Sequence, residues 1–133
     1  MIFIPYNVPS SKNNRRNFGK FSLLSKNAQN YLDITKAIYK DKRAEFLQML
    51  EGKEKPYLLG MHFVRGSKHK ADFQNLVQLP LDIMQKEGIN WLENDSVEDC
   101  FPIPFEIDGK LCSYNKDNPG VYIKVFNKMI LEE

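Results

Sequence analysis

PYLLGMHFVRGSKHKADFQNLVQLPLDIMQKEG, residues 56–88, contains the change of period that decides the fold. Tyr57, Leu59, Met61 and Phe63 alternate with Leu58, Gly60, His62 and Val64, which is strand periodicity with both faces largely covered. After the polar RGSKHKA, apolar residues Phe73, Leu76, Val77, Ile83 and Met84 recur at helical spacing, and Gly88 supplies a stop. Pro80 falls inside that pattern. It removes a backbone donor and crowds the carbonyl four residues earlier, so a kink or a late helix start is expected.

Upstream, IFIP (2–5) reads as a short strand closed by proline, and NVPSSKNNRRNFGKFS (7–22) as a loop or open hairpin without sustained period. Ser25 is a plausible cap for a helix whose run 28–50 puts Tyr31, Ile34, Ile38, Phe46, Met49 and Leu50 at mostly helical spacing, with Gly52 as its end. Its polar KDKR (40–43) marks an exposed stretch or a break. Downstream, Asp108-Gly109 within IPFEIDGKLCSY (103–114) has the turn chemistry of a tight hairpin, and Pro102 and Pro104 put the first strand on an edge. NPGVYIKVF (118–126) is a further strand. The order predicts one small α/β or α+β domain over residues 1–133, with two main helices.

With 42% hydrophobic and 27% charged residues, the chain has the composition of a soluble globular protein rather than a disordered one. The opening apolar run is too short for a signal peptide and no stretch is a membrane span, which predicts a cytoplasmic protein with no membrane partner. Cys100 and Cys112 are too few for a disulfide scaffold and have no zinc-like spacing to His62 or His69. Residues 1–70 hold 14 Lys/Arg against 5 Asp/Glu, whereas residues 71–133 hold 5 against 12. Such segregation fits a basic surface for a polyanion beside an acidic cluster for a cation; two solvated faces are the alternative.

The acidic cluster is WLENDSVEDC (91–100), with Glu93, Asp95, Glu98 and Asp99. Carboxylates this close repel, so they are either spread into solvent or partly neutralised by a cation. Asp72 stands at the start of the second helix, where a short acid can simply cap backbone N–H groups. Yet an acid before a helix and another after it can converge if the chain returns to the same sheet edge. Such a pair suits Mg²⁺, which takes one or two protein carboxylates and fills its remaining positions with water and phosphate oxygens. Phosphodiester hydrolysis needs little more.

The segments VPSSKNNRRNF, LSKNAQNYLD, KADFQNL, WLENDSV and PGVYIKV together make the sequence similar to the RusA family of Holliday-junction resolvases, small dimeric endonucleases of phage and prophage recombination and repair. They follow one another in the family's order over nearly the whole chain. The resemblance implies a RusA-like mixed sheet, a homodimer, Mg²⁺ as cofactor and a four-way DNA junction as substrate. Asp72 falls on the family's first catalytic acid, Asp95 on the acid of the later turn, and Asn75 on its asparagine. Glu93 flanks Asp95 as a further metal ligand. Two positions depart: Gln74 replaces the second acid of the Asp-x-Asp-Asn core, and Gln78 a lysine in the helix. An amide offers oxygen without negative charge, so cation affinity drops. Lys68, His69 or Lys70 can replace the lost cation from the preceding loop, or stand there solvated.

Lys12, Asn14, Arg15, Arg16, Lys20 and Lys26 form either a segment that donates to phosphates without reading bases, which suits recognition of branch shape, or a flexible basic loop with no ligand. Tyr6 and Phe18 are candidates for stacking on exposed bases. Two cuts on opposed strands need two sites, hence a two-fold dimer. The rival readings are a junction-binding protein whose cleavage has lapsed, given Gln74 and Gln78, and a charge-driven protein-interaction domain.

Overall fold

A computed structural model of the chain describes residues 1–10, 15–18, 21–93 and 99–127, with backbone alone at 15–18 and 21–24. Among these residues the fold is a mixed α+β arrangement with a five-stranded sheet and three helices. Strand β1 (Ile2–Pro5) is followed by a two-stranded antiparallel hairpin, β2 (Arg15–Phe18) and β3 (Phe21–Leu24). Helices α1 (Lys26–Asp41) and α2 (Arg43–Leu50) precede β4 (Tyr57–Arg65), then come α3 (Phe73–Met84), β5 (Cys100–Pro104), β6 (Cys112–Tyr114) and β7 (Gly120–Phe126). No helix among the described residues is long and apolar enough to cross a membrane.

The strand anticipated at 57–64 is the centre of the sheet. On one side β4 pairs antiparallel with β7, which pairs in turn with β1. On the other side β5 runs parallel to its first half, with Tyr57 opposite Cys100, and β6 parallel to its end, with Arg65 opposite Tyr114. Leu59, Met61 and Phe63 join Ile2, Ile4, Val121 and Ile123 in a core covered by the helices, and Phe63 meets Phe73 of α3 edge-on at 5.9 Å. The opposite face carries Gly60 and His62, covered by Phe105, Tyr122 and Phe126.

Ser25 caps α1, its hydroxyl accepting from the Ala28 N–H at 3.2 Å, and the polar KDKR is a break, since Lys42 separates α1 from α2. There are thus three helices where two main ones were expected. Helix α3 begins at Phe73 and carries Pro80 within it, so the late start does not occur. The hairpin at 103–114 is smaller than its turn chemistry implied. Asp108 and Gly109 adopt the positive φ values, 52° and 77°, of a tight turn, but only Ile107 and Lys110 bridge across it. The flanking strands leave the turn to pair with β4 instead.

His62 joins the two edge pieces. It is fully buried, 2.9 Å by Nδ1 from the Phe105 carbonyl and 2.7 Å by Nε2 from the Ser113 hydroxyl. Because a carbonyl only accepts, Nδ1–H donates to Phe105, while Nε2 is paired with the Ser113 hydroxyl.

At Gly120 a side chain has no room: a Cβ there falls against the Ile4 carbonyl oxygen and the Phe3 ring. Gly120→Ala is expected to destabilise the protein by about 1–3 kcal/mol, the usual cost of overpacking. Thermal or denaturant unfolding measures it, and an unchanged midpoint contradicts this packing.

Candidate active site

The loop from β4 to α3 and the end of β6 enclose a cleft of about 510 Å³ at the carboxyl end of β4. Arg65, Lys68, His69, Lys70 and Lys110 line it beside Asp72 and Tyr114. This cation excess is local to the cleft, and it favours a bound anion. The Lys68 ammonium stands 5.3 Å from the centre of the Tyr114 ring. Arg65 donates from Nη1 to the Val8 carbonyl, and partial burial lowers its pKa from the ordinary arginine value. The Gly66 N–H donates to Asn7 Oδ1 at 2.8 Å. Through these two bonds, the segment leading into the basic amino-terminal stretch is tied to the same end of β4.

Asp72 occupies the N-cap position of α3 with extended backbone, φ −72° and ψ 139°. Its carbonyl accepts from the N–H groups of Asn75 and Leu76, at 3.0 and 3.2 Å. Its carboxylate makes no capping hydrogen bond and is exposed in the cleft. The commonest structural duty of an acid at this position is therefore not what this side chain performs. Gln74 and Gln78 are exposed on α3, and Asn75 is half-buried in its first turn.

The described residues on either side of the acidic stretch, 91–93 and Asp99, are held elsewhere. Trp91 is buried, stacks on Phe46 at 4.6 Å between ring centres, and donates from Nε1 to the Tyr39 carbonyl at 2.7 Å. Its own N–H reaches the Met84 carbonyl at 2.8 Å, closing the chain onto the end of α3. Next to Tyr39, the Tyr31 and Tyr39 hydroxyls are 3.0 Å apart in the core, where burial raises both pKa values. Beyond this anchor, exposed Glu93 lines a second cleft of about 430 Å³ with Arg43, Lys55, Tyr57 and Asp99. The Lys55 ammonium lies 3.0 Å from the Asp99 carboxylate; that hydrogen bond and charge, with a smaller contribution from Glu93, raise the Lys55 pKa. The Tyr57 N–H donates to the Asp99 carbonyl at 2.9 Å, fixing this cleft at the amino end of β4.

Asp72 and Glu93 thus line clefts at opposite ends of a nine-residue strand, a span of about 26 Å. Ligands of one Mg²⁺ each lie at about 2.1 Å from it. A single chain does not bring Asp72 and Glu93 to a common ion; Asp95, the acid expected to converge with Asp72, is not among the described residues. The cause of the separation between Asp72 and Glu93 is the direction of β5: a strand parallel to β4 starts where β4 starts, so the chain must travel back along α3 before entering it. Among the described residues no three His, Cys, Asp or Glu side chains form a group able to hold a metal. Asp95 lies outside the described residues, as do Lys12, Asn14 and Lys20; Arg15 and Arg16 fall on β2, of which the backbone alone is described. Lys70 does line the Asp72 cleft, and Tyr6 is half-exposed at the end of β1.

Sequence reasoning missed Lys110 and Tyr114 as neighbours of Asp72, because only the pairing of β6 with the end of β4 brings them there. It also missed Lys55, whose position ahead of the central strand carries no motif.

No family model matches the chain, and no curated protein matches it at a significant level.

Trp91→Ala is expected to cost about 3–5 kcal/mol in chemical denaturation, and Trp91→Phe less, since it keeps the stack on Phe46 while leaving the Tyr39 carbonyl without its donor. Equal, small losses from both would contradict the anchoring role.

Proposed function

We propose that the protein is a Mg²⁺-dependent endonuclease of the RusA type that acts as a homodimer on Holliday junctions and related branched DNA. The observation that carries this reading is Asp72: an exposed carboxylate at a helix start, with no capping bond, in a cleft that Arg65, Lys68, Lys70 and Lys110 also line. A cation-lined cleft attracts a phosphodiester, and one free carboxylate there lies within the one or two that Mg²⁺ takes from protein. The order of resembling segments along the chain supports the same reading.

Asp72 would hold the ion, with the side-chain amides of Gln74 and Asn75 following it in sequence. When bound, Mg²⁺ supplies Lewis acidity toward the phosphoryl group and a water of lowered pKa. Lys68, Lys70 and Lys110 offset the charge on the phosphate oxygens, in the role that the lysine absent at Gln78 would have had. Asn7 and Val8, bonded to this end of β4, lead into the basic amino-terminal stretch, whose cations would add phosphate contacts.

The second carboxylate comes from the other subunit. Glu93 and Asp99, which bound the turn containing Asp95, lie at the amino end of β4, and Asp72 at its carboxyl end. A two-fold dimer that runs the two β4 strands in opposite directions sets each Asp72 toward the partner's acidic turn, and does so twice. Two such shared sites match two opposed strands of a four-way junction.

Purified protein is expected to introduce paired nicks into a synthetic four-way junction with Mg²⁺, and Asp72→Asn to abolish nicking while binding stays nearly intact. Junction binding without nicking by the unmodified protein would leave a junction-binding protein, the role that Gln74 and Gln78 favour. Absence of any salt-sensitive affinity for DNA would remove both.

Mixing tests the shared site. Asp72→Asn and Asp95→Asn homodimers are each inactive; after subunit exchange a heterodimer holds one site with both native acids, and about a quarter of wild-type nicking is expected to return. No recovery in a mixture shown to have exchanged subunits would contradict sharing.

A further inference from the structure

Tyr114 has no part in the core and none in the functional reading so far. It lies on edge strand β6, 47% exposed, directly across from Arg65 on β4. Opposed residues of paired strands present their side chains on one face, so Tyr114 and Arg65 stand together on the helix side of the sheet, where α3 begins. The ring lines the same cleft as Asp72, with the Lys68 ammonium 5.3 Å from its centre. A single exposed aromatic needs no explanation. An exposed ring sharing a cleft with a free carboxylate and several cations is a different case, because π surface beside phosphate-binding groups is how proteins hold unpaired nucleotides. The cleft, at about 510 Å³, falls in the range of sites that enclose small ligands.

We propose that Tyr114 is a stacking platform for an unpaired nucleobase next to the phosphodiester at Asp72, with Lys68 taking the adjoining phosphate. This inference rests on the branched-DNA reading and gives it a source of structural selectivity. A base within a continuous duplex has both of its faces covered by neighbouring bases. At a branch point the stack is interrupted and a face is available. Tyr114 therefore discriminates junctions and single strands from linear duplex without reading sequence. Tyr6, an aromatic candidate from sequence, does not line the cleft that holds Asp72.

The test is affinity of the full-length protein, by fluorescence anisotropy without Mg²⁺, for a four-way junction and a linear duplex of the same length. Tyr114→Ala is expected to weaken junction binding about 10-fold and to leave duplex binding nearly unchanged. Tyr114→Phe, which keeps the π face, is expected to bind as the unmodified protein does, and Tyr114→Leu to behave like alanine. An abasic nucleotide walked through the branch point is expected to find one position at which the unmodified protein loses the same factor and Tyr114→Ala loses nothing further. Lys68→Ala is expected to reduce the salt dependence by about one phosphate contact.

The inference is overturned if the unmodified protein prefers the junction and Tyr114→Ala and Tyr114→Leu retain that preference; the nuclease reading then survives. It is also overturned if alanine, leucine and phenylalanine variants weaken junction and duplex alike, the mark of a structural role. If the unmodified protein binds neither DNA, the functional reading fails and this one falls with it.

Discussion

The parallel pairing of β4 with β5 is the constraint on which the rest depends. Five backbone register positions, from Tyr57 opposite Cys100 to Met61 opposite Pro104, fix it. A chain leaving the far end of β4 can enter a parallel neighbour only after crossing back over the sheet, and α3 makes that crossing. The loop that enters α3 is then left at the carboxyl end of β4, and the segment that leaves α3 at its amino end. The cation-lined cleft with Asp72 and the Trp91-anchored cleft with Glu93 are the two results. The same topology builds two chemically distinct clefts and keeps Asp72 and Glu93 apart.

Packing enforces this separation. Trp91 is gripped by Phe46, Tyr39 and the carbonyl groups of Tyr39 and Met84, so Glu93 emerges from a rigid anchor rather than a loose loop. At the other end, His62 between Phe105 and Ser113 secures β6 against the end of β4 after the excursion at Asp108-Gly109. That bracket is what places Tyr114 and Lys110 beside Asp72. Both nitrogens of this buried imidazole are bonded, which holds the edge strand in register.

Much of this was legible in the residues. Alternation at 57–64, helical spacing from Phe73, the Ser25 cap and the break at KDKR each act through local backbone preference, and each has its counterpart in the structure. Asp72 was recognisable as a helix-start acid, though only the structure separates a capping carboxylate from one left free. The Asp108-Gly109 turn was legible as well, but its hairpin was not: turn chemistry fixes two residues, whereas long-range pairing with β4 decides where the flanking strands go. That Asp72 and Glu93 line different clefts has the same cause. Returning to the same edge of a strand differs from returning to the same end of it, and strand direction leaves no local trace in sequence.

The most direct test is the position of a divalent ion in a crystal of the protein soaked with Mn²⁺, located by its anomalous scattering. The account predicts an ion bound by Asp72 of one subunit and by an acid of the 93–99 turn of the other, twice per dimer. An ion held by Asp72 together with an acid of its own chain's turn, or two subunits joined so that those groups lie far apart, would contradict it.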